Sequence, residues 1–317
     1  AALLHYSGWG VLPPAHHLAL GWIYVAAAWL AAFAVNGVLA FMQEPGAWPS
    51  TGHFIDGFFN VTFNPSLLVQ AGSALGTAGL ISLVAGCAAG AARLRAVVVR
   101  SASRFVLGGF ALLAAGTAWY AAVLPVPAQQ VLTAVPGAGS LLFYGTLVAC
   151  AVVFAFALTG PFSRPEGCGR SFALLLLTIG LAATLAAGAQ RALARRPHVI
   201  TGYLEVNGLD PRARGELSRS GFLVASGAAP SLTARDPLAT GRELFRRQCA
   251  ACHTRTGFRS LREAVRGWDA DVIERQLGRL DRLRGSMPPF AGTREERRAL
   301  AGWLAALQVP AAGKAAP

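Results

Sequence analysis

Charged side chains are scarce in this 317-residue sequence, in which Asp, Glu, Lys and Arg make up 14% and hydrophobic residues 54%. Soluble globular proteins carry about 25% charged residues, so the composition excludes a chain that is soluble throughout. The shortage is also local, because residues 17–190 hold very few charges and residues 191–317 hold most of them. We therefore expect two kinds of domain, one within a membrane and one outside it.

Cysteine is rare, with five residues in the chain, and this rarity limits the metal sites that can form. Cys252 is the last cysteine and His253 the last histidine, so no second pair follows to complete a four-ligand zinc site. Cys87 and Cys150 fall in apolar stretches and Cys168 in a short loop. We predict no disulfide framework and interpret these three thiols as small packing residues.

The run from Cys249 to His253 reads Cys-Ala-Ala-Cys-His, which is the attachment pattern of c-type heme. Each thiol adds across one heme vinyl group, and the two-residue gap lets both sulfurs reach one edge of the porphyrin. The adjacent imidazole then becomes an axial ligand of the iron. We predict one covalent heme c on Cys249 and Cys252, with His253 as the first iron ligand.

Methionine is rarer still, with two residues, and Met287 lies 34 positions after His253 in the run Gly-Ser-Met-Pro-Pro-Phe. A thioether is a soft ligand that suits low-spin heme iron and raises its potential. The two prolines hold the loop extended, which lets the methionine point inward. We predict Met287 as the second iron ligand; the other interpretation is a methionine that only fills the core.

From Leu238 to about Leu307 the sequence resembles a class I cytochrome c. The resemblance rests on the Cys-x-x-Cys-His motif, the Met-Pro-Pro-Phe loop and positions of the first and last helices, namely Gly241, Phe245, Glu295, Leu300, Trp303 and Leu304. These helical positions fall on one face at helical spacing. The resemblance implies a small all-α domain wrapped around one heme.

Five apolar stretches have roughly 18 to 28 residues, and about 20 are needed to cross the hydrocarbon of a bilayer. They are dense in glycine and alanine, which let membrane helices approach closely. The predicted spans are His17–Met42, Ser66–Ala92, Phe105–Pro127, Ser140–Gly160 and Ser171–Gln190.

The predicted fold is all-α, with a five-helix transmembrane bundle followed by a small helical cytochrome c domain. We assign residues 1–190 to the transmembrane domain, 191–237 to an outer-side connecting segment and 238–317 to the cytochrome c domain. The connecting segment is rich in Pro, Gly, Ser and Arg and shows no long apolar periodicity. At this length it is expected to lie against the membrane surface or a partner.

Orientation follows from the heme motif, because heme is attached to such motifs outside the cytoplasm. Counting back through five spans makes loops 93–104 and 161–170 cytoplasmic, and these loops carry six arginines, whereas the outer loop 128–139 carries no charge. This asymmetry fits the positive-inside rule. We predict a multi-pass protein of the bacterial inner membrane with its cytochrome c domain on the periplasmic side.

Parts of the membrane region resemble the late part of cytochrome bd quinol oxidase subunit I over about residues 15–205. The segments concerned are residues 17–22, the Met-Gln-x-Pro-Gly run at 42–46, Phe-Asn-Pro at 63–65, and 195–202. The resemblance implies that Met42 binds a low-spin heme b near the outer face. The family's opposing histidine lies on an earlier helix, so we expect a partner subunit to supply it, with His53 as the alternative here. A packing methionine is the other interpretation.

The formal net charge of +13 does not indicate nucleic acid, because an outer-facing domain has no access to it and no recognition motif is present. We expect the arginines of the heme domain to steer an acidic electron carrier or redox enzyme, or to meet membrane lipid. These arginines are Arg246, Arg247, Arg255, Arg259, Arg262, Arg282 and Arg284.

These features predict electron transfer between a membrane heme or quinone site and an outer-side partner, within a respiratory or photosynthetic complex that includes other multi-span subunits. A heme b shared with a partner subunit, and a quinone reached through that partner, belong to this expectation. The chain lacks the quinol-binding loop and the oxygen-reducing site of the bd family, so a stand-alone enzyme is not expected. The alternatives are a structural membrane anchor for a cytochrome c domain, or part of a split bd-type oxidase.

Overall fold

The computed structural model describes residues 2–196, 198–227, 236–283 and 287–308. The chain divides into two compact units, residues 1–194 and 195–317. Both are helical, and the strands of the described residues form one antiparallel pair, β1 (His198–Ile200) and β2 (Leu204–Glu205). The predicted all-α class is confirmed.

Nine helices of the first unit are described, five of them long. They are α1 (Ala2–Ser7), α2 (Pro14–Gln43), α3 (Trp48–Thr51), α4 (Phe54–Phe58), α5 (Phe63–Cys87), α6 (Ala92–Val123), α7 (Val126–Thr133), α8 (Ala138–Ala157) and α9 (Arg170–Ala194). A π-helical turn extends α8 to Phe162. The five helices α2, α5, α6, α8 and α9 are long and apolar enough to cross a membrane, which confirms a multi-pass protein.

The third span begins earlier in the structure than the sequence predicted, so four arginines that were expected in a loop lie in a helix. Helix α6 begins at Ala92 rather than near Phe105, so Arg93, Arg95, Arg100 and Arg104 lie on its first turns and not in a loop. Arginine has a high helix propensity, and the charges interrupt the apolar run without interrupting the helix. The prediction that residues 93–104 form a loop was therefore wrong, because these residues are helical.

Small residues bring the backbones of α5 and α6 into direct contact. A Cβ added at Gly79 would lie 2.7 Å from the backbone nitrogen of Val106, and one at Gly116 would lie 2.8 Å from that of Val69. A Cβ at Gly109 would collide with the backbone of Gly76. Such contacts replace the hydrophobic effect, which gives no attraction between helices surrounded by lipid.

Polar side chains join four helices at one end of the membrane unit. The amide of Gln43, at the end of α2, donates to the Ala194 carbonyl of α9 at 3.3 Å and accepts from the Tyr120 hydroxyl of α6 at 3.4 Å. The Arg191 guanidinium of α9 donates to the Ser66 hydroxyl of α5 and lies 5.8 Å from the centre of the Tyr120 ring. These bonds satisfy polar groups that would be costly if exposed to lipid.

The second unit consists of short helices around one apolar core. They are α10 (Arg214–Ser220), α11 (Phe222–Ala225), α12 (Pro237–Leu244), α13 (Leu261–Ala264), α14 (Ala270–Leu277), α15 (Leu280–Leu283) and α16 (Arg294–Ala306). Side chains cap several N-termini, among them Asp236, Ser260 and Asp269, and Thr293 with Glu296 forms a capping box at α16. Each cap satisfies a backbone N–H that a helix leaves unpaired.

Part of the predicted connecting segment 191–237 contributes to this core. Phe222 and Leu223 are buried with the residues of α12 and α16. Their backbone N–H groups donate to the two carboxylate oxygens of buried Glu296, both at 2.8 Å. Residues 222–223 therefore belong to the core of the second unit, whereas 228–235 lie outside the described residues. The boundaries at 190 and 237 remain predictions.

Candidate heme site

The Cys-x-x-Cys-His motif lies where helix α12 ends in a wider turn. Residues Phe245–Cys249 form a π-helical turn, and the Ala250 N–H donates to the Phe245 carbonyl at 2.9 Å. The Cys249 carbonyl then accepts from the N–H groups of Cys252 at 3.1 Å and His253 at 2.9 Å. The three predicted site residues thus share one turn of backbone, and both thiols are free of disulfides.

The imidazole of His253 is oriented by one backbone carbonyl. Its Nδ1 lies 3.0 Å from the carbonyl oxygen of Arg259. A carbonyl only accepts, so Nδ1 carries the proton and Nε2 presents a lone pair. Metal-binding histidines commonly donate their second ring nitrogen in this way. The ring is therefore in the tautomer that axial ligation requires.

The segment that presents the Arg259 carbonyl is closed by its own hydrogen bonds. The Thr254 hydroxyl donates to the Phe258 carbonyl at 2.6 Å, and the Leu261 N–H donates to the Thr254 carbonyl at 2.9 Å. Arg259 has φ 52°, in the left-handed region that non-glycine residues rarely adopt. The role of Arg259 could not be predicted from the sequence, because a backbone carbonyl carries no side-chain signal.

Gln248 holds the methionine loop against the motif. Its side-chain nitrogen donates to the Ala291 carbonyl at 2.6 Å, and its oxygen accepts from the Ala291 N–H at 3.1 Å. Ala291 follows Met287 by four residues, and Gln248 immediately precedes Cys249. This buried pair of bonds brings together the two segments predicted to carry the iron ligands. Met287 is half-buried, and residues 284–286 of the predicted loop lie outside the described part of the chain.

Helices α12 and α16 of the second unit, the proposed heme-binding unit, cross at Gly241, as the resemblance implied. A Cβ there would lie 2.5 Å from that of Trp303 and collide with the Ala299 carbonyl. The Phe245 ring packs on the Trp303 ring with centroids 4.9 Å apart. The crossing fixes the direction in which α12 delivers the motif.

The Cys249 thiol does not have the electrostatics of a metal-binding or nucleophilic cysteine. Burial, with a smaller contribution from Cys252, raises the pKa of the Cys249 thiol to about 12. Reactive cysteines have a lowered pKa. Among the described residues, no group of three or more His, Cys, Asp and Glu side chains could hold a metal ion. The donor set of two thiols, one oriented imidazole and the thioether of a loop bonded to Gln248 fits a c-type heme.

Met42 lies in a different environment. It is half-buried one residue before the end of α2, beside the Gln43 that joins α2, α6 and α9. His53 is exposed and precedes α4. The His5 and His17 rings stack 4.1 Å apart near the start of α2, an arrangement that the sequence analysis missed. A heme b on Met42 remains a prediction.

The family model described as cytochrome c oxidase, cbb3-type, subunit III matches residues 236–304. The matched stretch contains all four predicted heme c residues, supports a cytochrome c domain and implies a covalently bound heme c. No curated protein and no solved structure matches the chain. The resemblance to cytochrome bd subunit I has no support from a family model.

Proposed function

We propose that this chain is a membrane-anchored c-type cytochrome subunit that passes electrons between a membrane heme or quinone site and an outer-side redox partner. The five apolar helices and the cytochrome c match support a membrane-anchored electron-transfer protein. The observation that carries the proposal is the pairing of an oriented His253 imidazole with a methionine loop fastened by Gln248.

Each site residue has one task in this proposal. Cys249 and Cys252 form the thioether links, His253 provides Nε2 and Met287 provides its sulfur. When bound, heme c supplies a single one-electron centre. With His253 and Met287 as ligands the iron would have no open position, which would suit electron transfer rather than substrate binding. The Arg259 carbonyl keeps His253 in its tautomer, and Gln248 keeps the methionine loop near the motif.

The name of the matching family supports membership of a multi-subunit complex. That family is a subunit of a cbb3-type cytochrome c oxidase. We propose that this chain likewise assembles with other multi-span subunits, in a bacterial inner membrane with the heme-binding unit on the periplasmic side. The Cβ positions of Gly108, Gly145 and Gly188 on the membrane helices meet open space, which supports this assembly because small residues let further helices pack closely.

The test of heme attachment compares cysteine variants of the full chain. Cys252→Ala should remove one thioether and shift the pyridine hemochrome band, and a double variant at Cys249 and Cys252 should abolish the covalent heme stain. Cys150→Ala, in the membrane unit, is the matched control and should stain like the wild type. A stained double variant would refute the proposed attachment. Met287→Ala should keep the stain but lower the heme potential.

For the membrane unit we propose a heme b between Met42 and a histidine of a partner subunit. The place of Met42 at the end of a span and beside polar Gln43 supports this proposal. Met42→Leu should remove heme b from the purified complex and leave heme c unchanged. Heme c alone in the wild-type complex would refute it.

A structural anchor is the second candidate function, and one observation favours it. Buried Gln43, Ser66 and Tyr120 and half-buried Arg191 hydrogen-bond to one another and to the carbonyl at the end of α9, so these polar groups have partners within the unit without a cofactor. Heme c as the sole heme, with assembly unaffected by Met42→Leu, would support the anchor. Heme d in the complex would support a split bd-type oxidase.

A further inference from the structure

A groove, which we call the arginine groove, lies between helices α14 and α16 of the second unit. Its volume is about 560 Å³, in the usual range of small-ligand sites. Residues three and four apart share one face of a helix, and this spacing brings the charged residues of each helix to the groove. The lining residues are Asp271, Glu274, Arg275 and Gly278 from α14 and its end, and Arg294, Arg297 and Arg298 from α16.

The two helices that form the groove are held together by the apolar core of the second unit. Ile273 and Leu277 of α14 are buried in one cluster with Leu300 and Leu304 of α16. The charged faces of the helices are therefore fixed relative to each other by packing that does not involve the groove. Groups that are positioned in advance lose less conformational entropy on binding than groups on a loose segment.

Positive charge exceeds negative charge in the arginine groove. Four guanidinium groups and two carboxylates line it. Glu295 adds a carboxylate near Arg294 and Arg298 but does not line the groove. Among the described residues, no carboxylate forms an ion pair with exposed Arg275. A cleft with charge of one sign in excess attracts a ligand of the opposite sign, so the groove favours an anion.

The central carboxylate of the groove does not use up the donors around it. This carboxylate belongs to Glu274, and its oxygens lie 3.3 Å from Nε of Arg298, 3.5 Å from Nε of Arg294 and 3.9 Å from an Nη atom of Arg297. All three distances exceed the range of about 2.7–3.2 Å for well-formed N–H···O hydrogen bonds. Each guanidinium has several N–H donors, so donors remain for a second oxyanion.

Arg297 provides the clearest indication of a ligand. Its Nε atom is buried and has no hydrogen-bond partner among the described residues, although buried donors are nearly always paired. The same guanidinium lies against Gly278, where an added Cβ would come within 3.3 Å of an Nη atom. The glycine thus lets the guanidinium lie close to the end of α14, on the wall of the groove.

We propose that the arginine groove binds a phosphate group. The planar guanidinium matches two phosphate oxygens with paired hydrogen bonds. The oxygens of a phosphate point in tetrahedral directions, so one group can accept from arginines of both helices, whereas a planar carboxylate would meet fewer of them. The phosphate belongs to a soluble compound or to a lipid headgroup, which present the same oxyanion. Phosphate binding here is separate from the proposed electron transfer.

The first test measures phosphate binding to the heme-loaded full chain in phosphatidylcholine nanodiscs. Isothermal titration calorimetry with inorganic phosphate, in a low-salt buffer without other oxyanions, gives the affinity. We expect Arg297→Gln to weaken binding about tenfold and Arg275→Gln about threefold. Arg266→Gln is the matched control, because it removes the same charge outside the groove and should change the affinity by less than about twofold.

A second test distinguishes the two sources of phosphate. Flotation of the nanodiscs with phosphatidylglycerol vesicles is compared for the wild type, Arg275→Gln and Arg266→Gln. Weaker flotation of Arg275→Gln alone would identify a lipid headgroup as the ligand. Equal flotation of all three, together with saturable binding of inorganic phosphate that depends on Arg275, would identify a soluble phosphate compound. Either result supports the phosphate site.

Two outcomes overturn the proposal. One is the absence of saturable phosphate binding by the wild type together with flotation that does not depend on Arg275. The other is equal phosphate affinity of the groove variants and Arg266→Gln, again with flotation independent of Arg275. The Soret spectrum and melting temperature of each variant are measured as well. Arg275 is exposed, so its variant gives a result even if Arg297→Gln fails to fold.

Discussion

The two units are both helical, but different contacts hold their helices together. In the membrane unit α5 and α6 meet backbone to backbone through a series of glycines. Among its described residues, the heme-binding unit has one such glycine contact with a helix backbone, at Gly241, and it adds an aromatic pair, side-chain caps and the buried Glu296 carboxylate. Close packing of small residues does most of the joining between α5 and α6, whereas a small domain outside the membrane needs more specific bonds to compensate for its small core.

The largest expected effect is at the glycine contact of the membrane unit. Gly109→Leu would place a side chain where the Gly76 backbone lies, so we expect loss of the folded bundle, a cost above about 4 kcal/mol. Size-exclusion chromatography in detergent would show aggregation. Gly108→Leu is the control, because a Cβ there meets nothing within 4 Å. Equal monodispersity of the two variants would contradict the close contact.

A smaller effect on stability is expected at the close contact of Gly241 in the heme-binding unit, where α12 crosses α16. Gly241→Ala should destabilise it by about 2–3 kcal/mol, because the new methyl group overpacks the crossing with Trp303. Thermal denaturation followed by the Soret circular dichroism of the holoprotein measures this change. Gly302→Ala, with open space around its Cβ, should keep or raise the melting temperature. A neutral result for Gly241→Ala would show that α16 can shift freely.

Glu296→Gln tests the hydrogen bonds that the buried carboxylate accepts from three backbone N–H groups. The carboxylate accepts from Phe222, Leu223 and Thr293, and an amide offers one acceptor oxygen in place of two. We expect a loss of about 2 kcal/mol, since hydrogen bonds to a charged group are worth about 1.5–3 kcal/mol. Chemical denaturation measures it, and Glu295→Gln at an exposed position is the control. Unchanged stability would mean that residues 222–223 are held by apolar packing alone.

The smallest expected effect is a pH dependence from an ion pair. Bonds from Arg246 and Arg247 hold the pKa of Glu243 at about 2, below the ordinary 4.5. The folded pKa is the lower one, so this stabilisation is complete above about pH 4.5 and is lost as the pH falls towards 2. Between about pH 5 and 3 the melting temperature should fall more in the wild type than in Glu243→Gln. If the melting temperatures of the wild type and Glu243→Gln fell equally with pH, the ion pairs of Glu243 would be solvated and would add no stability.

Composition and local spacing were enough to predict the helical class, the five spans and the heme motif. The spans could be found because charges are almost absent from long stretches, and the heme motif because its chemistry fixes the spacing from Cys249 to His253. The start of α6 was missed, since Arg93 and Arg95 end the apolar run but not the helix.

Bonds between distant residues could not be predicted from the sequence. Gln248 and Ala291 are 43 positions apart, and Glu296 lies 74 positions after Phe222. Neither pair has a residue type or spacing that distinguishes it, because a glutamine or glutamate on a helix is ordinarily a solvated side chain. The conformation of residues 254–261 places the Arg259 carbonyl next to the His253 imidazole. Every residue type has this backbone oxygen, so the sequence does not mark the position.

Helix α6 is longer than a bilayer is thick. Its 32 residues extend about 48 Å at 1.5 Å per residue, whereas the hydrocarbon layer measures about 30 Å. The arginines at Arg93, Arg95, Arg100 and Arg104 all lie at one end of α6. We expect their guanidinium groups to reach headgroup phosphates at different depths and so to fix the position of the span in the bilayer. The turn between α5 and α6, where the Arg95 side chain donates to the Ala89 carbonyl, lies at this same end of the helix.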